Sequence, residues 1–190
     1  MVGPTNVAQI LPNGWGPTKI NGQSVNRVAT YYDACELGLR KKGMITKLKY
    51  TLTSPITIPS GQVVEVWMKN VSATTTVFAA GTYSTAGYTL VFDGAIEPAE
   101  TGEYKILLNT PFVRTAGSNL QVMVERLDGA VNTGYIFYSA NGNDVSGTAT
   151  TSRRANSTTA PTSTTSLTTS EFRPAIDLIH VSDNDATIAD

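Results

Sequence analysis

Apolar and polar residues alternate at a period of two through most of the chain, the pattern that turns one face of a β-strand to a core and the other to water. In MITKLKYTLT (44–53), Leu48, Tyr50 and Leu52 share one face, and Lys47, Lys49 and Thr51 the other. QVVEVWMK (62–69) sets Val64, Val66 and Met68 against Glu65, Trp67 and Lys69. YTLVFDG (88–94), EYKILLN (103–109), NLQVMVE (119–125), GYIFYSA (134–140) and AIDLIHV (175–181) read the same way, with VNRVATYY (25–32) a less regular first strand. Within 101–125, EYKILLN and NLQVMVE read as walls of a core, with TPFVRTAGSN as the linker between them.

Turn chemistry separates these runs. SPITIPSG (54–61) carries two prolines that would break a central ladder, so it reads as an edge or a connection; RTAGSN (114–119) and RLDGAVNTG (126–134) are further breaks. Short strands with one apolar face each must bury that face against another sheet. The expected class is therefore all-β, a jelly-roll-like antiparallel β-sandwich of about eight strands. The chain divides into an N-terminal arm (1–24), a sandwich domain (25–181) and a polar C-terminal tail (182–190). Inside the sandwich, the Ser/Thr-rich stretch 146–171 reads as a long surface loop, with an edge hairpin as the alternative.

Composition narrows the partners. Charged residues make up 15% of the 190, well below the usual quarter, and Thr, Ser, Asn and Gly take their place. A net charge of -1 offers no footprint for nucleic acid or for an anionic membrane surface. No stretch is long and apolar enough for a membrane span, and MVGPTNVAQILPNGWGPTK lacks the basic and apolar regions of a secretion signal, so a chain starting at Met1 is not expected to follow that route.

Little of this sequence can carry covalent chemistry. Cys35 and His180 are the single cysteine and histidine, and packing roles suit both better than a nucleophile–base pair. HExxH, CxxC, Walker and GxSxG motifs do not occur, so catalysis is not expected and no cofactor is implied. Calcium is the cation the composition would accommodate, through oxygen ligands drawn from Asp33, Glu36, Asp177, Asp183, Asn184 and Asp185. For ligand recognition, Trp67 falls on the polar side of its strand between Glu65 and Lys69, where an indole face could stack on a sugar, with Tyr31, Tyr83, Tyr88 and Tyr138 as further rings or, alternatively, as core or edge packing. The alternative for Trp67 is packing beneath a loop or a neighbouring subunit. In the arm, Ile10, Leu11 and Trp15 lie between Pro and Gly breaks and form a set of anchors for docking on a neighbour.

YYDACELGLRKKGMITKLKY, VVEVWMKN, LVFDGAIEPAETGEYKILLNTPFVRTAGSNLQVMVE and FRPAIDL, taken in order, resemble the jelly-roll, MAM-like and cleaved-adhesin-like β-sandwich modules of Bacteroidetes surface proteins. The similarity spans roughly 27–181 and lies in an E-L-G turn, an I-T-K-L strand, V-F-D-G, T-P-F and G-S-N-L-Q-V-M-V. It implies a non-catalytic role in display, adhesion or recognition on a virion surface or outside a cell. Related sandwiches on phage particles make a virion component, a capsid decoration or fibre-associated protein, the first expectation. Its partners would be other subunits, as a homo-oligomer or as virion neighbours. The alternative is an adhesin or carbohydrate-binding module of a secreted cell-surface protein, with glycans as partners.

Overall fold

A computed structural model describes residues 25–34, 42–52, 62–74, 84–96, 102–126, 139–141, 152–157, 168–170, 172–174 and 176–182. The strands among them, in chain order, are β1 (Val25–Tyr32), β2 (Gly43–Leu52), β3 (Gln62–Val71), β4 (Thr89–Ile96), β5 (Gly102–Arg114) and β6 (Asn119–Arg126). The remainder are β7 (Ser139–Asn141), β8 (Ser152–Ser157), β9 (Thr168–Ser170), β10 (Phe172–Pro174) and β11 (Ile176–Ser182). The all-β expectation holds for the described residues. Six strands form one sheet in the order β4-β3-β6-β1-β8-β9, three form a second in the order β11-β2-β5, and β10 pairs with β7. Every pairing is antiparallel.

The core lies where the two larger sheets face one another. Val64, Val66 and Met68 of β3, Leu120, Val122 and Val124 of β6, Val91 of β4 and Tyr32 of β1 come from the six-stranded sheet. Ile45 and Leu48 of β2, Tyr104, Ile106, Leu108 and Phe112 of β5, and Ile176 of β11 meet them from the three-stranded sheet. Each such side chain contributes roughly 1.5–3 kcal/mol relative to exposure, and the alternation read from the sequence is what aligns them on one side. A one-residue slip of β3 would exchange Val64, Val66 and Met68 for Glu65, Trp67 and Lys69, which fixes the register.

Three segments depart from expectation. TPFVR, expected as linker, continues β5 as far as Arg114. Ile45 pairs with Phe112 and Lys47 with Leu107, so residues 108–111 of β5 stand opposite the single Thr46. This bulge keeps Leu108 and Phe112 in phase with the core, and Pro111 is tolerated because β5 is an edge strand of its sheet. Within 146–171, residues 152–157 and 168–170 are the strands β8 and β9 that extend the larger sheet beyond β1, as in the hairpin alternative. Thr168 and Thr169 of β9 suit a pleated strand, and pairing of β8 to β1 and of β9 to β8 supplies the order that composition does not. Several strands among the described residues are only three residues long, and neither the expected eight strands nor a jelly-roll order is established by the described pairings. SPITIPSG and most of GYIFYSA lie outside the described residues.

The true turn between β5 and β6 is Thr115–Ser118, closed by a bond of 3.2 Å from Ser118 N–H to Thr115 O. Thr85–Tyr88 forms the same turn before β4, with Tyr88 N–H bonded to Thr85 O at 3.0 Å. Both read T-A-G, and the glycines at the third position have φ of 69° (Gly117) and 77° (Gly87), as a type II turn requires. Where the two sheets approach at their edges, Asp93 N–H of β4 donates to Asn109 Oδ1 of β5 at 2.7 Å.

Candidate functional site

On the outward face of the six-stranded sheet, β3 presents Glu65, Trp67 and Lys69 at two-residue intervals, and all three are partly buried. Cross-strand register sets Asp93 of β4 and Glu125 of β6 beside Glu65, and Leu90 and Met123 beside Trp67. The indole rests against Ala29 and Met123 and donates Nε1–H to Glu65 Oε2 at 3.0 Å, which fixes the ring. Tyr88 reaches across from the turn before β4, packs on the same two residues and donates its hydroxyl to Gln121 Oε1 at 2.8 Å. Lys69 Nζ stands 5.4 Å above the Tyr88 ring and donates to Ala86 O at 3.2 Å. Burial pushes the Tyr88 hydroxyl well above its usual range, so it remains a donor.

This face is not uniformly wet. Tyr31, Gln121, Met123 and Glu125 are buried on it, while Val63, Asp93 and Ala95 near the β4 edge are exposed. The expected ligand set is thus partly assembled: Trp67, Glu65, Lys69 and Tyr88 lie together, Tyr31 is buried, and Tyr83 and Tyr138 lie outside the described residues. Alternation located Trp67, but only pairing brings Asp93 to Glu65 and Gln121 to Lys69 on either side of it.

At one end of the sandwich a buried polar bracket joins four segments. Asn119 Oδ1 accepts from Ala34 N–H at 2.9 Å, and its Nδ2 donates to Ser72 O (3.4 Å), to Ala73 O (3.3 Å) and to the Tyr31 hydroxyl. Asn70 donates Nδ2–H to Val113 O at 3.0 Å and accepts from Thr115 N–H (3.2 Å) and the Ser118 hydroxyl (2.9 Å). Arg114 is wholly buried and donates Nη2–H to Ser118 O at 2.6 Å; burial lowers the pKa of its guanidinium. These groups hold the β5–β6 turn to the ends of β1 and β3, a role in architecture.

The outward face of the three-stranded sheet has a different character. Leu107 is 62% exposed, Val113 55%, Met44 44% and Ile179 39%. Val113 pairs with Met44, and Leu107 and Ile179 flank Lys47, so the four occupy neighbouring rows across β5, β2 and β11. Further along, Glu103 bridges Lys49 (2.8 Å) and Lys105 (3.2 Å). The Lys49 hydrogen bond, then that of Lys105, holds the Glu103 carboxyl below its ordinary value.

Among the described residues, no three or more His, Cys, Asp or Glu side chains gather to hold a metal. Glu36, Asp183, Asn184 and Asp185 of the calcium set lie outside them, as do Cys35 and the arm residues Ile10, Leu11 and Trp15. His180 is in β11, with its backbone opposite Ile45. No helix among the described residues is long and apolar enough to cross a membrane. No family model, curated protein or solved structure matches the chain.

Proposed function

We propose that this chain is a non-enzymatic structural β-sandwich, a subunit that associates with copies of itself through the outward face of β11, β2 and β5. Its setting is the surface of a virion, as a capsid decoration or fibre-associated protein. The observation carrying the reading is the exposure of Leu107, Val113, Met44 and Ile179 on neighbouring rows of one sheet face. Burying them against a second copy would recover about 25 cal/mol for each Å² of apolar area covered. Lys49, Glu103 and Lys105 would form a polar rim beside this apolar centre. A net charge of -1 leaves little repulsion between copies, which suits a protein packed at high local density. The resemblance to surface-display sandwiches supports the same setting.

The test is the oligomeric state. The wild-type chain is expected to form a discrete multimer by sedimentation velocity, and the double substitution Leu107→Glu, Val113→Glu to lower its mass to that of the monomer with an unchanged circular-dichroism spectrum. Wild-type and substituted chains of equal mass would refute the proposed interface.

A further inference from the structure

We infer that the outward face of β3 and β4 carries a shelf for a neutral saccharide, centred on Trp67. This surface is on the opposite side of the sandwich from the proposed subunit contact, and the inference stands independently of it. Two features carry it. First, the ring is preorganised: Ala29 and Met123 support the indole from below, and its N–H is committed to Glu65 Oε2 at 3.0 Å, so little ordering remains to be paid on binding.

Second, hydrogen-bonding groups of both kinds flank the ring. Glu65 and Lys69 stand on either side of Trp67 along β3, each displaced by about 6.7 Å, the advance of two strand residues. Asp93, exposed on β4, is the cross-strand partner of Glu65. Sugar hydroxyls both donate and accept, and here they would find carboxylate acceptors and an ammonium donor around an apolar ring face. An organic cation, the other ligand suited to an aromatic beside Glu65 and Asp93, offers the Lys69 ammonium no acceptor, and choline is therefore the comparison.

Trp15 and Trp67 are the two tryptophans of the chain, so the full-length Trp15→Phe protein reports on Trp67 alone by fluorescence. The probes are hexasaccharides of glucose, xylose, mannose and N-acetylglucosamine, with choline chloride as the cationic comparison. At least one saccharide is expected to change the emission saturably. In calorimetry with that saccharide, Asp93→Asn should weaken binding about tenfold and Trp67→Ala should abolish it, while choline leaves the emission unchanged. Absence of a saturable response to all four saccharides, saccharide binding that survives Trp67→Ala at wild-type strength, or saturable binding of choline would overturn the inference. Should Trp67→Ala fail to fold, Asp93→Asn, an exposed position, decides alone, and undiminished affinity in that variant counts against the shelf.

Discussion

Replacing Asn119 by alanine tests the bracket that joins the ends of β1, β3 and β6. The side chain is buried and serves Ala34 N–H, the Tyr31 hydroxyl and the carbonyls of Ser72 and Ala73. Ser72 and Ala73 are exposed, so their carbonyls turn to water at little cost. Ala34 is buried, and its N–H would be stranded, at a cost of about 1–3 kcal/mol. Loss of the bond to the buried Tyr31 hydroxyl adds about 1 kcal/mol, for a total near 3 kcal/mol. With a urea m-value of about 2 kcal/mol/M, the midpoint should fall by about 1.5 M.

Urea unfolding followed by circular dichroism measures this directly. A loss below about 1 kcal/mol at unchanged m would show that the bracket contributes little, since water would then be satisfying Ala34. Asn119→Asp sharpens the test, because it retains the acceptor for Ala34 but sets a carboxylate against the Ser72 and Ala73 carbonyls. Burial and those carbonyls raise its folded pKa above the unfolded value of about 3.9. The resulting penalty is full above the folded pKa and fades as pH falls toward the unfolded one, so the deficit of this variant should shrink on acidification.

Two further predictions concern the turns and the exposed charge triad. Gly117→Ala meets no atom within 4 Å but must hold a φ of 69°, so it should cost about 1–2 kcal/mol through the backbone alone. Gly87→Ala, at φ 77°, also brings its Cβ to 3.2 Å from Lys69 Cε and Nζ, so by thermal unfolding it should cost at least as much; a smaller loss at Gly87 than at Gly117 would contradict this account. The Glu103 carboxyl should titrate below its ordinary value by NMR, and Lys49→Met should raise that pKa more than Lys105→Met does. Because its folded pKa is depressed, any stability the carboxylate contributes is present above the unfolded pKa and lost as pH falls through the folded one; a titration unmoved by Lys49→Met would refute the assignment.

Much of the sandwich was legible in alternation because burial on one face imposes it. Val64, Val66 and Met68, and likewise Leu120, Val122 and Val124, are in the core as their spacing predicts. The continuation of β5 through T-P-F was not legible, since a bulge and a proline look like a break when the sheet edge that accommodates them is unseen. Strands β8 and β9 were legible only as the hairpin alternative: a run of Thr and Ser carries no apolar period, and its order comes from pairing of β8 with β1 and of β9 with β8. Trp67 could be picked out as an aromatic on a polar face. Tyr88 could be named as a further ring; the fixed indole and the pairing of Asp93 with Glu65 could not, because they arise from neighbours across strands.

What the sequence determined by itself is the strand class, the inward set of each regular strand and the break at RTAGSN, all of which follow from local stereochemistry and from the two-residue repeat of the pleat. Tertiary structure alone decided the order β4-β3-β6-β1-β8-β9 against β11-β2-β5, the burial of Gln121, Met123 and Glu125 on the second face of β6, and the exposure of Leu107 and Val113. Alternation states only that two faces differ. Which of them meets protein and which meets water depends on segments far away in the chain.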